Sequence, residues 1–141
     1  MDDLRAALVI EVERIADRLR GLSQARLTEP VPGHASRADA ARSAAQALAD
    51  AAACIEAGRA ADHVGDVDRA ADADTDTGLR PARDLHVLPA LTVFAAGDQV
   101  AVTGHDLIAA LAAVPDGEVE PDFGKLARRA LEELRTLRRL L

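Results

Sequence analysis

An all-α protein, built as a four-helix bundle with a long acidic loop between helices two and three, is what this sequence predicts. Three observations lead there. Four separate stretches carry apolar residues at alternating steps of three and four. Clusters of Pro, Gly and Asp separate those stretches. Ala occupies 32 of the 141 positions, while aromatic residues make up 1%, with two Phe and neither Tyr nor Trp. That balance favours helices, because Ala has the best helix propensity. At this length one domain covering residues 1–141 accounts for the chain.

The first stretch predicts a helix over 3–20, with Leu4, Leu8, Val12, Ile15 and Leu19 on one face. Asp2 and Asp3 cap its start, and Gly21 stands where a helix end takes a left-handed residue. Pro30, Pro32 and Gly33 break regular structure in the loop from Leu22 to Ala35. A second helix is expected from Ser36 to about Ala57, stopping at Gly58. Ser36 followed by Asp39 forms a capping box with a shortened carboxylate. Its inner face is a row of Ala with Leu48 and Ile55. Such a face lets a neighbour approach closely but buries less area than Leu would.

Residues 59–84 read as an acidic linker within the domain, with six Asp and one Arg between Asp62 and Asp76. Asp72, Asp74 and Asp76 have the spacing that opens a calcium loop. Thr77 replaces the required Gly and Arg83 the closing Glu, so a solvated linker is the expectation. A third helix is expected over 89–113, beginning at Pro89. Gly97 and Gly104 share its packing face, which suggests close approach to the Ala face of helix two. The rival reading breaks this helix at Gly97, with Asp98 as a new cap. The fourth helix runs from Asp122 to the C-terminus on a stripe of Phe123, Ala127, Ala130, Leu134, Leu137 and Leu141. From Lys125 onward it carries six basic and two acidic residues, which suits the negative end of a helix dipole.

Composition also excludes function classes. The net charge is −7, and without aromatic platforms such a chain is a poor nucleic-acid binder. The lone Cys54 rules out an internal disulfide framework and a Cys-rich zinc site, and its place beside the Ala row predicts a buried, inert thiol. No run of about 18 apolar residues predicts a membrane span, and Met1-Asp2-Asp3 does not open a targeting segment, so the expected compartment is the cytoplasm. Neither a P-loop, nor a dinucleotide fingerprint, nor a nucleophile elbow occurs.

Two stretches taken together resemble a known family. One runs from Leu19 to Gly33 as LRGLSQARLTEPVPG, and the other from Val102 to Leu111 as VTGHDLIAAL. They are similar to the DinB-like superfamily, particularly the N-terminal domain of mycothiol-dependent maleylpyruvate isomerase. The resemblance follows the chain in order: helix, Pro-Gly loop, helix, long connection, a helix with the Gly-x-Asp-Leu signature, final helix. It implies a bundle that places metal ligands on helices two and three. The matching positions here are Arg42, Gln99 and Thr103, where the family pattern has His, Glu and His. The two Trp positions of the pattern are His34 and His105.

Arginine has no lone pair to give a metal, so the resemblance with these replacements implies a scaffold without the family metal site and with no cofactor. Arg42 is then a candidate anchor for a small anionic ligand. Gln99 and Thr103, four apart on one helical face, are candidate neutral hydrogen-bonding partners, and His34 and His105 complete the candidate set. The expected function is a non-enzymatic ligand-binding or protein-interaction module. The alternative is a divergent thiol-dependent transferase or isomerase using rearranged His ligands. Small-residue helix faces together with Leu126, Leu131 and Leu140 offer a surface for a homodimer.

Overall fold

The computed structural model describes residues 1–67, 87–89, 91–114 and 121–141. These residues are mainly helical. There is no β-strand among the described residues, only an isolated antiparallel bridge between Val31 and His34. Helix α1 is Asp2–Arg20, α2 is Gln24–Thr28, α3 is Arg37–Val67, α4 is Ala96–Ala112 and α5 is Pro121–Leu140. A short 3-10 turn, Val93–Ala95, leads into α4.

Cross-helix contacts establish how the four long helices run. Gly97 of α4 lies against Ala16 and Leu19 of α1, and Gly104 against Val12, so α1 and α4 are antiparallel. Arg138 reaches Glu11 while Arg18 reaches the carbonyl of Leu141, so α1 and α5 are parallel. Arg37 bonds the carbonyl of Leu140 while Gly58 meets Phe123, so α3 and α5 are antiparallel. It follows that α3 and α4, consecutive long helices, run in the same direction. Both α4 and α5 pack against α1 and against α3, which places α1 and α3 at opposite corners.

The core between them is aliphatic. Leu8, Ile15, Leu48, Ile55, Leu107 and Leu134 are fully buried. The Ala row of α3 lies beside them, with Ala41 and Ala45 also at 0% exposure. The predicted stripe of the last helix, from Phe123 to Leu141, is buried throughout. Leu131 joins the core as well, while Leu126 and Leu140 stay partly buried at its edge.

Several local expectations need correction. Gly21 is right-handed at φ −80°, its N–H bonded to the Asp17 and Arg18 carbonyls. Among the described residues the left-handed glycine is Gly33, at φ 82°. The Pro-Gly loop contains α2, capped by Ser23 and anchored by buried Leu27. Gly58 does not stop α3, which continues to Val67 and takes in the first part of the stretch expected as linker. A Cβ at Gly58 would stand 2.8 Å from the Phe123 ring, so the glycine makes room for an aromatic side chain. Residues 68–84 of that expectation, with the Asp72–Asp76 run, lie outside the described residues.

Helix α4 begins at Ala96, neither at Pro89 nor after a break at Gly97. Thr92 is extended, at ψ 157°, and the Pro89 carbonyl bonds a side chain instead of a helical N–H. Gly97 and Gly104 do permit close approach, but to α1 and not to the Ala face of α3.

Candidate functional site

The start of α3 is set by the predicted cap. Ser36 Oγ accepts from the Asp39 N–H at 3.0 Å. The return arm is displaced by one residue, since Asp39 Oδ2 accepts from the N–H of Ala35 at 3.3 Å. Arg37 ties this helix start to its surroundings, donating through Nε to the Leu140 carbonyl at 2.9 Å and pairing through Nη1 with Glu29. The Arg37 hydrogen bond is the main reason that Glu29's carboxyl is held below the usual glutamate range.

Arg42 follows on α3, half-buried. Its Nε is shielded from solvent and has no hydrogen-bond partner. Among the described residues no ion pair joins its guanidinium either. One turn further on is Gln46, which lies on the same side of the helix. Gln46 donates to Asp50 Oδ1 at 2.8 Å and accepts from the Leu88 N–H at 2.9 Å. Across the seam, buried Gln99 of α4 donates through Nε2 to the Pro89 carbonyl at 3.0 Å. The segment Val87–Pro89 is thus held by one side-chain amide from α3 and one from α4. Thr103 turns back into its own helix, donating to the Gln99 carbonyl at 2.9 Å.

The two His side chains have separate carboxylate partners. His34 stands at the Pro-Gly loop with Nδ1 3.6 Å from Asp39 Oδ2. His105 is exposed on α4, its Nε2 2.8 Å from Glu13 Oε1 of α1. His63 and His86 have no described side chains. Among the described residues no three His, Cys, Asp or Glu converge as metal ligands.

Arg42, Gln99 and Thr103, where the resemblance would put metal ligands, do not fit a cation. Arg42 carries a fixed positive charge, Gln99 presents its N–H to a backbone carbonyl, and Thr103 is committed to its own helix. What the arrangement can do is hydrogen-bond an anion through one unpartnered guanidinium edge.

Cys54 is exposed, against expectation. Its position on α3 turns it away from the Ala row, into an open groove of about 280 Å³ between α3 and α5. Ala47, Ala51 and Ala130 form much of the groove wall, and Asp50, Arg129 and Glu133 also line it. Small side chains leave this gap where larger ones would fill it. Sequence reasoning missed Gln46; its spacing of four from Arg42 was the available signal. It missed Glu11 too. That largely buried carboxylate accepts from Arg138 at 2.7 Å, while its second oxygen has no partner.

No helix among the described residues is long and apolar enough to cross a membrane. Comparison with protein-family models, curated proteins and solved structures finds no match to this chain.

Proposed function

We propose that this chain is a DinB-like four-helix bundle lacking the family metal site, and that it binds a small oxyanion at Arg42. One observation carries the reading: the Arg42 Nε is buried and unpartnered. A buried donor without a partner costs about 1–3 kcal/mol, and a carboxylate or phosphate oxygen removes that cost. The order of helix, Pro-Gly loop, helix, long connection, helix and final helix supports the scaffold part of the reading. Binding is favoured over catalysis with rearranged ligands because His34 and His105 each face a different carboxylate.

Titration with inorganic phosphate, followed by calorimetry or amide chemical shifts, tests this. Saturable binding is expected in the wild type, with affinity at least about tenfold weaker in Arg42→Gln, since a charged hydrogen bond is lost. Equal binding by both proteins, or none by the wild type, would sink the reading.

A further inference from the structure

Arginines gather where the parallel helices α1 and α5 meet. Glu11 of α1 is buried at 8% exposure. Its Oε1 lies 2.7 Å from Nη1 of Arg138 on α5 and 3.5 Å from Nη1 of Arg14 on its own helix. Two guanidiniums thus share one buried carboxylate oxygen, while the Arg138 and Arg14 side chains stay 41% and 57% exposed. One turn on from Arg14, Arg18 donates to the Leu141 carbonyl at 3.0 Å. On α5, Arg135 and Arg139 are one turn apart on the same face, and Arg135 neighbours Arg138. Arg135 pairs with Glu132, and Arg139 donates to the Thr136 hydroxyl. The five arginines have Glu11 and Glu132 as carboxylate partners, so positive charge is in excess by two even with an α-carboxylate at Leu141 counted. Two other carboxylates of α1 are engaged elsewhere, Asp17 by Arg20 and Glu13 by His105.

A helix dipole accounts for cations in the last turn, here Arg18, Arg138 and Arg139. It does not account for Arg14 and Arg135, which lie further back. Exposed ion pairs ordinarily gain little, because long side chains lose freedom on pairing. Arg14, Arg18 and Arg138 are already held by their contacts to Glu11 and Leu141, so they have less freedom to lose. A guanidinium carries five N–H donors, and the contacts described use one on each of these three. Spacing points to the kind of anion. The cluster spreads over two helices, whose axes pack about 8–10 Å apart, which suits several anionic groups rather than one. Residues four apart on a helix rise about 6 Å, close to the roughly 7 Å between alternate side chains of an extended chain. We infer that the α1–α5 seam is a docking surface for an extended acidic segment of a partner protein, whose alternate carboxylates pair with Arg14, Arg18, Arg135 and Arg139. This surface is independent of the anion-binding reading at Arg42.

The test is fluorescence anisotropy at low salt with a labelled ten-residue peptide of alternating Glu and Ser, on the full chain checked for folding by thermal unfolding. Saturable binding is expected, weakening as salt is added. Arg14→Gln combined with Arg139→Gln is expected to weaken it about tenfold, the scale of two exposed charge pairs. Arg26→Gln combined with Arg59→Gln removes the same charge away from the seam and is expected to leave the affinity unchanged. Arg42→Gln is expected to leave it unchanged as well, which separates this surface from the anion site. No binding by the wild type, or equal weakening by the two double variants, would overturn the docking surface. A short DNA duplex that binds more tightly than the peptide, and loses that binding in Arg14→Gln with Arg139→Gln, would overturn the acidic-peptide assignment in favour of a nucleic acid.

Discussion

Gly104 shows how much a single residue carries when helices approach closely. A Cβ built there falls 2.5 Å from Cγ2 and 2.7 Å from Cγ1 of Val12. Both γ-methyls are involved, so no rotation of Val12 relieves the contact, and α1 itself would have to move. Gly104→Ala gains about 1 kcal/mol of helix propensity. It loses up to about 3 kcal/mol to overpacking. The expected net loss is about 2 kcal/mol, read as a lower denaturation midpoint. Val12→Ala in the same chain should restore part of it, which makes the double-mutant coupling the diagnostic quantity. A neutral Gly104→Ala would mean that α1 and α4 are not this close.

The spacing of Gly97 and Gly104 did reveal a packing face. It did not reveal the partner, because α1 and α3 both offer complementary surfaces and only the assembled fold chooses between them. Gly58 was misread for a related reason. A helix-stopping glycine and one that admits Phe123 look identical until the opposing helix is in place. Among the candidate site residues, the shared face of Gln99 and Thr103 was legible from their spacing. Their hydrogen bonds were not, because one runs to Pro89 in an irregular segment and the other is local to α4.

Among the elements, the start of α3 is where three segments meet. Glu29 follows α2, Arg37 opens α3, and the Leu140 carbonyl belongs to the last turn of α5. The Ser36 cap and the apolar stripes of α1 and α5 were readable in the sequence, because capping and helical periodicity are local properties. The convergence of Glu29, Arg37 and Leu140 spans more than a hundred positions and has no local signature. It has a pH consequence. Arg37 holds the Glu29 carboxyl below its usual range, so the pair contributes in full above the ordinary glutamate range. The contribution is lost as pH falls through the depressed value. Glu29→Gln should therefore lower the melting temperature at neutral pH and narrow the gap to wild type as the solution is acidified. Salt should shrink the difference as well, since the pair is exposed and screened. A gap that stays constant from neutral pH down to strongly acid conditions would show that Glu29 is not the titrating partner.

For the molecule as a whole, the parallel course of α3 and α4 is the governing constraint. Consecutive antiparallel helices can be joined by a few residues, but a parallel pair needs a connection that travels back along the first helix. The distance follows from the contacts. Leu88 is bonded to Gln46, and α3 continues from there to Val67, about 31 Å further along its axis at 1.5 Å per residue. The chain must recover that distance between Val67 and Leu88. An extended chain spans at most about 3.3–3.6 Å per residue, so roughly ten residues are the minimum. Replacing residues 68–86 with a Gly/Ser linker of about fifteen residues should thus keep the helical signal and a cooperative melt. A linker of about five residues cannot reach, so α4 would have to leave its place between α1 and α3. That would uncover the Gly97 and Gly104 contacts and cost the cooperative transition. The two linkers share composition and differ only in length, so a cooperative, wild-type-like melt of the five-residue version would refute the parallel arrangement itself.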